Sequence, residues 1–300
     1  MQDLIQHLID GLSLGSIYAL IALGYTMVYG ILQLINFAHS DVYMVGAFVA
    51  FYVARWTGMT DKPGAVTLVT LLASAMIGCS ILGLIIERFA YRPLRKAPKL
   101  NILVTAIGVS LFLEFSGQVV FSPDPQVFPN ILEDRVLASF GGLEIKSLDV
   151  TVVFVTIASM LVLNFIIFKT RIGKAIRAVS SNMNVASLMG VNVDRIIALT
   201  FVIGSSLAGV GSVLVGMKYP KIEPLMGMMI GLKAFVAAVL GGIGSLPGAV
   251  LGGIILGLSE QIVVAYLEST YRDALAFGIL ILILIFKPEG LMGKNRIEKV

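Results

Sequence analysis

The sequence contains little charge and almost no cysteine or histidine. Only 13% of its 300 residues are Asp, Glu, Lys or Arg, whereas 57% are hydrophobic. Soluble domains carry about 25% charged residues, so this composition excludes an ordinary soluble globular protein. Cys79 is the only cysteine, which excludes a disulfide within the chain. The two histidines, His7 and His39, are not spaced as metal ligands, and no metal site is expected.

Signatures of catalysis are also missing. The phosphate-binding motif G-x-x-x-x-G-K-S/T does not occur, because Gly173-Lys174 lacks the upstream glycine. There is no nucleophile elbow and no paired His and Glu of a metalloprotease. The chain is therefore not expected to be an enzyme, to hold a cofactor or to hydrolyse ATP by that route.

Long apolar stretches are abundant, and they predict a polytopic, all-α integral membrane protein. About nine transmembrane helices are expected, within a range of 8–10, and several are shorter than the roughly 20 residues of a perpendicular span. The predicted spans are Leu12–Ile31, Val42–Trp56, Gly64–Ile86, Leu100–Phe121, Leu148–Phe168, Ile196–Met217, Met226–Leu240, Leu246–Leu267 and Ala274–Phe286. No linker divides the chain, so residues 1–300 are expected to form one domain.

Basic residues are concentrated in three places, and the positive-inside rule makes all three cytoplasmic. The N-terminus is then outside and the C-terminus is cytoplasmic. The three groups are Arg88, Arg92, Arg95, Lys96 and Lys99; Lys169, Arg171, Lys174, Arg177 and Arg195; and Lys287, Lys294, Arg296 and Lys299. Membrane orientation accounts for these bases, so lipid contact is expected and a nucleic-acid partner is not.

Loop 122–147 is acidic and is predicted to lie outside. Within it, Val136–Phe140, Gly141-Gly142 and Leu143–Ile145 read as a short β-hairpin with a glycine turn. The hairpin either covers the ends of the helices or forms a docking surface for an extracytoplasmic partner.

The cytoplasmic segment 169–195 is too apolar for a disordered loop. Val185, Leu188 and Met189 recur at helical spacing, and Gly190 follows as a plausible C-cap, which predicts a short amphipathic helix. Such a helix either rests on lipid headgroups or inserts into a groove on a cytoplasmic partner.

Three charged residues, Glu114, Lys233 and Glu260, fall within apolar segments. An unpaired charge in hydrocarbon costs several kcal/mol, so Lys233 is predicted to pair with Glu260 or Glu114. The pair either fixes helix packing or forms a transient site for a zwitterionic solute.

Two further places combine polarity or glycine with apolar surroundings. Asn36, His39 and Asp41 lie between the first two spans, either in a polar turn at the inner surface or in a discontinuous helix that faces a permeation path. Gly241 and Gly242 begin a glycine- and proline-containing bend, which must lie inside the protein, beside a water-lined path or at the membrane surface. Small residues at four-residue spacing in the sixth and eighth spans allow close helix packing within the chain or between subunits.

Three motifs resemble the branched-chain amino-acid permease family of bacterial ABC importers, and more narrowly its first membrane subunit. The motifs are Asn36-Phe37-Ala38-His39-Ser40-Asp41, Gly173-Lys174-Ala175-Ile176-Arg177-Ala178 with its continuation to Arg195, and Val239-Leu240-Gly241-Gly242-Ile243-Gly244-Ser245. The order and spacing of the three motifs also resemble those of the family, so the resemblance extends over nearly the whole chain. Ser40 stands where the family pattern has glycine.

This resemblance implies a transport subunit in the bacterial inner membrane. The implied partners are a second related permease subunit, two cytoplasmic ATPase subunits that bind ATP, and a periplasmic solute-binding protein. The residues implied in coupling to the ATPases are Gly173, Arg177, Asn182, Ala186, Leu188, Gly190 and Val191. The residues implied in the translocation path are Asn36, His39, Asp41, Gly241 and Gly242.

Two other functions remain open from the residues. The same machine could carry another small solute, such as urea, an amide or a sugar, because nothing in the residues selects leucine. An ion-coupled secondary transporter would need titrating intramembrane carboxylates, which Glu114 and Glu260 could supply.

Overall fold

The computed structural model describes residues 2–60, 62–95, 97–140 and 143–293, except the side chains of Gln2 and Phe140. Lys96, Lys294, Arg296 and Lys299, which were assigned to the basic groups, lie outside the described residues. The predicted turn at Gly141-Gly142 also lies outside them.

Every predicted span coincides with a helix. The helices are α1 (Gln2–Leu32), α2 (His39–Trp56), α3 (Ala65–Ile86), α4 (Arg92–Leu94), α5 (Lys99–Phe121), α6 (Ser147–Lys169), α7 (Arg171–Ser181), α8 (Met183–Leu188), α9 (Val193–Lys218), α10 (Met226–Gly241), α11 (Leu246–Tyr266) and α12 (Tyr271–Phe286). A π-helical turn, Glu87–Tyr91, joins α3 to α4.

Within the described residues, six stretches are both long and apolar enough to cross a membrane. They comprise α1, α3 continued through α4, α5, α6, α9 and α11. The three other predicted spans form α2, α10 and α12, which have 18, 16 and 16 residues. The protein is therefore a predominantly helical, multi-pass membrane protein.

In the part of the chain that the structure describes, four short strands lie at one end of the bundle, which we call the hairpin end. β1 (Gln126–Val127) pairs with β4 (Lys221–Ile222), and β2 (Val136–Phe140) pairs with β3 (Leu143–Lys146), both antiparallel. The two strands of the predicted hairpin are thus present. Glu144 N donates to Gln6 Oε1 at 3.0 Å, which places the start of α1 at this end.

The opposite end carries α7 and α8, and we call it the loop end. Helix α6 leads from the hairpin end to α7, and α9 returns from α8 to β4; their 23 and 26 residues span roughly 35–39 Å. The described members of all three basic groups lie at the loop end, whereas Asp124, Glu133, Asp134 and Glu144 lie at the hairpin end.

Helix α1 forms the centre of the bundle. Its apolar span is 89% buried, compared with 22% for α5 and α6, which therefore form the periphery. Helix α1 packs most closely on α11, because Gly253 and Gly257 leave room for its backbone: a Cβ on Gly253 would lie 2.5 Å from Ala19 N. Gly248 and Gly252 pack against α10 in the same way, so the small residues of α11 serve packing within the chain.

Candidate functional site

The segment between α6 and α9 is anchored before it projects. Thr170 caps α7 by accepting from Gly173 N at 3.1 Å, and a Cβ on Gly173 would collide with the carbonyls of Ile166 and Ile167. Arg177 donates to Ile167 O, and its guanidinium carbon lies 5.4 Å from the centroid of the Phe168 ring. These contacts fix α7 against the end of α6.

Helix α8 is a short helix of six residues with a cap at each end. Asn182 Oδ1 accepts from Val185 N at 3.0 Å, and Gly190 takes the left-handed φ of +82° that ends the helix. Val191 N then donates to Ala186 O at 3.0 Å. The helix and the glycine cap predicted from the sequence are therefore both present.

The outer face of α8 is apolar and fully accessible. Leu188 and Met189 are 87% and 80% exposed, and Val185 is also exposed, whereas Ala186 packs inward and is buried. We call Val185, Leu188 and Met189 the α8 apolar face. Exposed apolar side chains of this kind suit contact either with lipid headgroups or with a protein partner.

Chain 33–38, which we call the linker, breaks the helix between α1 and α2. Gln33 ends α1 with a φ of 54°, a left-handed conformation uncommon outside glycine. A Cβ on Gly24 would collide with the His39 imidazole, so α2 begins beside Gly24. Leu32 lies eight residues beyond Gly24, about 12 Å of helix, so the linker turns back into the bundle.

The three predicted polar residues are therefore buried, and not exposed in a turn at the surface. Asn36, His39 and Asp41 are all buried. Asp41 Oδ2 accepts from Ser110 Oγ at 2.5 Å, which places Asp41 level with the middle of α5. Among the described residues, neither His39 nitrogen has a hydrogen-bond partner, and Asp41 Oδ1 has none either.

The glycine bend between α10 and α11 lies at the loop end and is covered by the segment that follows α12. Leu291 N donates to Leu240 O at 2.8 Å, and Met292 N donates to Gly241 O at 2.9 Å. Gly242 has a φ of +105° and sits against the backbone of Gly290 and Gly293. The bend faces the linker across a small apolar crevice. Its lining residues are Tyr25, Tyr29, Ile35, Phe235, Ala238 and Ile243.

Lys233 and Glu260 meet inside the bundle, at 3.1 Å between Nζ and Oε1. Asp273 Oδ1 lies 2.7 Å from the same Nζ, Arg272 Nε lies 3.3 Å from Glu260 Oε2, and Tyr18 donates to that oxygen at 3.0 Å. Two acids and two bases thus form a neutral group, which we call the four-charge cluster, and it joins α10, α11 and α12 to α1.

Glu114 does not belong to this cluster, although the sequence analysis grouped it with Lys233 and Glu260. It is carried by α5, which packs on α2, and it lies one turn beyond Ser110 on the side that faces Asp41. The three residues share only a position within an apolar segment, and that position does not say which helices are neighbours.

Sequence reasoning missed two ionic contacts. Arg272 and Asp273 were placed at a helix end outside the predicted span, so their role in the four-charge cluster was not anticipated. Lys218 Nζ lies 2.7 Å from Asp149 Oδ1 and donates to Ser13 Oγ at 2.9 Å, tying α9, α6 and α1 together. The sequence does hold a signal for both contacts, because these charged residues all lie at or beside the end of a predicted span. Charges in such positions can pair with one another where the helix ends meet.

At the loop end, Arg92 and Arg95 both bind Asp194 in the first turn of α9, the latter at 2.5 Å. Arg95 also pairs with Glu87, which is buried. Two arginines of the first basic group are therefore bound to the segment that follows α8.

At the hairpin end, a cavity of about 500 Å³ opens beside β1 and the end of α9, with Phe128, Ile131 and Met217 among its lining residues.

Within the described residues, no group of three or more His, Cys, Asp or Glu is placed to hold a metal ion. The polar features of the chain thus concern helix packing, a buried helix break and an exposed apolar turn. These features are those of a multi-pass membrane protein with an interrupted helix inside its bundle.

Comparison with known proteins agrees with this class. A sequence model of the family described as "Branched-chain amino acid transport system / permease component" matches residues 7–284, and the chain belongs to that family. The high-affinity branched-chain amino acid transport system permease protein BraD of Pseudomonas aeruginosa is 43% identical over 300 residues, which cover 99% of this chain and 98% of BraD.

Two proteins of Escherichia coli K12 are also similar. The corresponding permease protein LivH is 42% identical over 300 residues, covering 99% of this chain and 97% of LivH. The permease protein LivM of the same kind of system is 24% identical over 308 residues, covering 96% of this chain and 70% of LivM.

Proposed function

We propose that this chain is the membrane-spanning permease subunit of an ATP-driven importer that moves branched-chain amino acids inward by alternating access. The observation that carries the proposal is the α8 apolar face, which is held rigidly at the basic end of the bundle in a chain of this permease family. Such a turn suits insertion into a groove on a cytoplasmic ATPase.

The loop end is proposed to face the cytoplasm. The described bases of all three groups lie there, and the positive-inside rule then puts the start of α1 and the hairpin outside. We infer nine transmembrane helices in a single domain of residues 1–300, located in a bacterial inner membrane. Helices α2, α10 and α12 are the short spans, and α2 is short because it begins inside the bundle.

The proposed partners follow from these surfaces. Two ATPase subunits would bind ATP, one of them against α8 through contacts that include Asn182, Ala186, Leu188, Gly190 and Val191. Gly173 and Arg177 hold α7 behind it. A second permease subunit would complete a heterodimer, and a periplasmic solute-binding protein would dock at the hairpin end. The similarity of this chain to both LivH and LivM supports two related permease subunits.

The solute path is proposed to run past the linker. Asn36, His39 and Asp41 supply buried polar atoms where a helix is interrupted, which is where transporters commonly line a path. Gly241 and Gly242 form the other interruption, across the apolar crevice. A mostly apolar path with few polar groups suits a branched aliphatic side chain.

Uptake by the reconstituted complex tests the function. The chain, its second permease subunit and the ATPases are placed in proteoliposomes, and leucine uptake is measured with binding protein outside and ATP inside. We expect ATP-dependent uptake, and we expect Leu188→Ala to lower it about tenfold, because truncating an interface anchor costs more than 1 kcal/mol. Leu161→Ala, an exposed leucine on α6, is the matched control and should leave uptake unchanged.

Two results would contradict the proposal. Leucine uptake driven by an ion gradient without ATPases would identify a secondary transporter. ATP-dependent uptake of urea, an amide or a sugar, with none of leucine, isoleucine or valine, would show the same machine serving another solute.

Orientation has its own test, because Cys79 is buried and the chain has no other cysteine. We expect a membrane-impermeant maleimide to label Ser139→Cys, on the exposed hairpin, in intact spheroplasts. Ser187→Cys, on exposed α8, should be labelled only after the membrane is broken. Labelling of Ser187→Cys from the exterior would overturn the proposed topology.

A further inference from the structure

The π-helical turn Glu87–Tyr91 has a polar contact at each end, and together they connect the segment after α8 to the buried linker between α1 and α2. We call this connection the relay. We propose that Tyr91, Arg95 and Asp194 are positioning residues of this relay, which transmits movement of α8 to the linker during transport. The inference rests on the proposed function and adds the residues that couple α8 to the linker.

The relay begins directly behind α8. Val191 is hydrogen-bonded to Ala186 of α8, and Asn192 caps α9 by accepting from Arg195 N at 3.0 Å. Asp194 lies between Asn192 and Arg195, in the first turn of α9. Only two residues separate it from Val191, so a displacement of α8 is transmitted to Asp194.

The next contact crosses to the end of α3. Arg95 bridges Asp194 and Glu87, and Arg92 adds a second contact to Asp194. Exposed ion pairs are weak, but Glu87 has only 2% of its side chain exposed, and Arg95 is the base that pairs with it. Arg95 is therefore held firmly between the start of α9 and the π-helical turn.

The π-helical turn then reaches the linker. Tyr91, its last residue, is buried and donates from its hydroxyl to Asn36 Oδ1 at 2.8 Å. Its ring centroid lies 5.1 Å from that of Phe201 on α9, so α9 and the π-helical turn position it together. Insertions of this kind into α-helices occur frequently at functional sites.

The linker is held on its other side as well. Ser180 Oγ, in α7, donates to Gly30 O near the end of α1 at 2.6 Å. Both flanks of the linker are thus attached to the loop end, one through α7 and one through the relay. A shift of α8 relative to α7 would change the separation of Gly30 and Asn36, and so the position of His39 and Asp41.

The test removes single links in the full reconstituted complex and compares leucine uptake with ATP hydrolysis. Tyr91→Phe deletes only the hydroxyl that contacts Asn36. We expect it to lower the leucine transported per ATP hydrolysed about fivefold, within the range that single residues produce along coupling networks, while ATP hydrolysis changes less than twofold. Tyr43→Phe is the matched control, because Tyr43 is equally buried and its hydroxyl has no partner among the described residues.

A double variant separates a relay from general loosening. Asp194→Asn should also lower the transport ratio, and Tyr91→Phe combined with Asp194→Asn should be no worse than the more severe single variant, because one broken link already interrupts the relay. Effects that multiply, or a Tyr91→Phe variant indistinguishable from Tyr43→Phe, would overturn the inference. Absence of ATP-driven uptake by the unmodified complex would instead refute the proposed function.

Discussion

Replacing Glu260 with alanine is expected to destabilise the protein by about 3–5 kcal/mol, because breaking a buried ion pair leaves an uncompensated charge. Glu260 is completely buried and contacts Lys233, Arg272 and Tyr18. Without it, Lys233 and Arg272 retain only Asp273 as a counter-charge. The measurement is the free energy of unfolding in detergent, together with the amount of assembled complex recovered from membranes.

Control substitutions make this result specific. Glu268→Ala removes an exposed acid from the loop between α11 and α12 and should change stability by about 0.5 kcal/mol or less. Lys233→Met combined with Glu260→Leu leaves Arg272 and Asp273 as a neutral pair, and it should be less harmful than Glu260→Ala alone. A Lys233→Ala variant that assembles normally but does not transport would argue that the four-charge cluster serves the solute instead of helix packing.

Gly257→Ala is expected to cost about 3 kcal/mol, the upper range for an overpacked core. The added Cβ would collide with the backbone of Gly15, so α1 and α11 could not keep their separation. Since α1 is the centre of the bundle, the strain cannot be relieved by one side chain moving aside. Thermal unfolding of the purified protein measures the effect.

Gly108 provides a matched control in α5. A Cβ at Gly108 has nothing within 4 Å, so Gly108→Ala should be neutral or slightly stabilising because alanine favours the helix. Equal stability of the two glycine variants would show that α1 and α11 do not require close backbone contact.

The sequence was sufficient for most of the secondary structure. Each of the nine predicted apolar runs coincides with a helix, because hydrocarbon leaves a chain few alternatives to a helix. The periodicity of Val185, Leu188 and Met189, followed by Gly190, located α8, and the strands at Val136 and Leu143 followed from their turn. Each of these signals is local.

The contacts that the sequence did not predict depend on which helices are neighbours, and no local sequence pattern carries that information. Asp41 meets Ser110 only because the linker turns back beside Gly24. Glu260 attracts Arg272 because α12 packs on α11, whereas Glu114 is kept away on α5. The contact between Tyr91 and Asn36 likewise joins residues that the sequence gives no reason to pair.

The segment after α12 completes the end of α10, because Leu291 and Met292 donate to the last carbonyls of that helix. A fluorophore attached at the exposed position Met292 would thus sit beside the glycine bend, and its emission would report any movement of that bend. The segment after α12 is consequently a natural position for a sensor of conformational change at this end of the bundle.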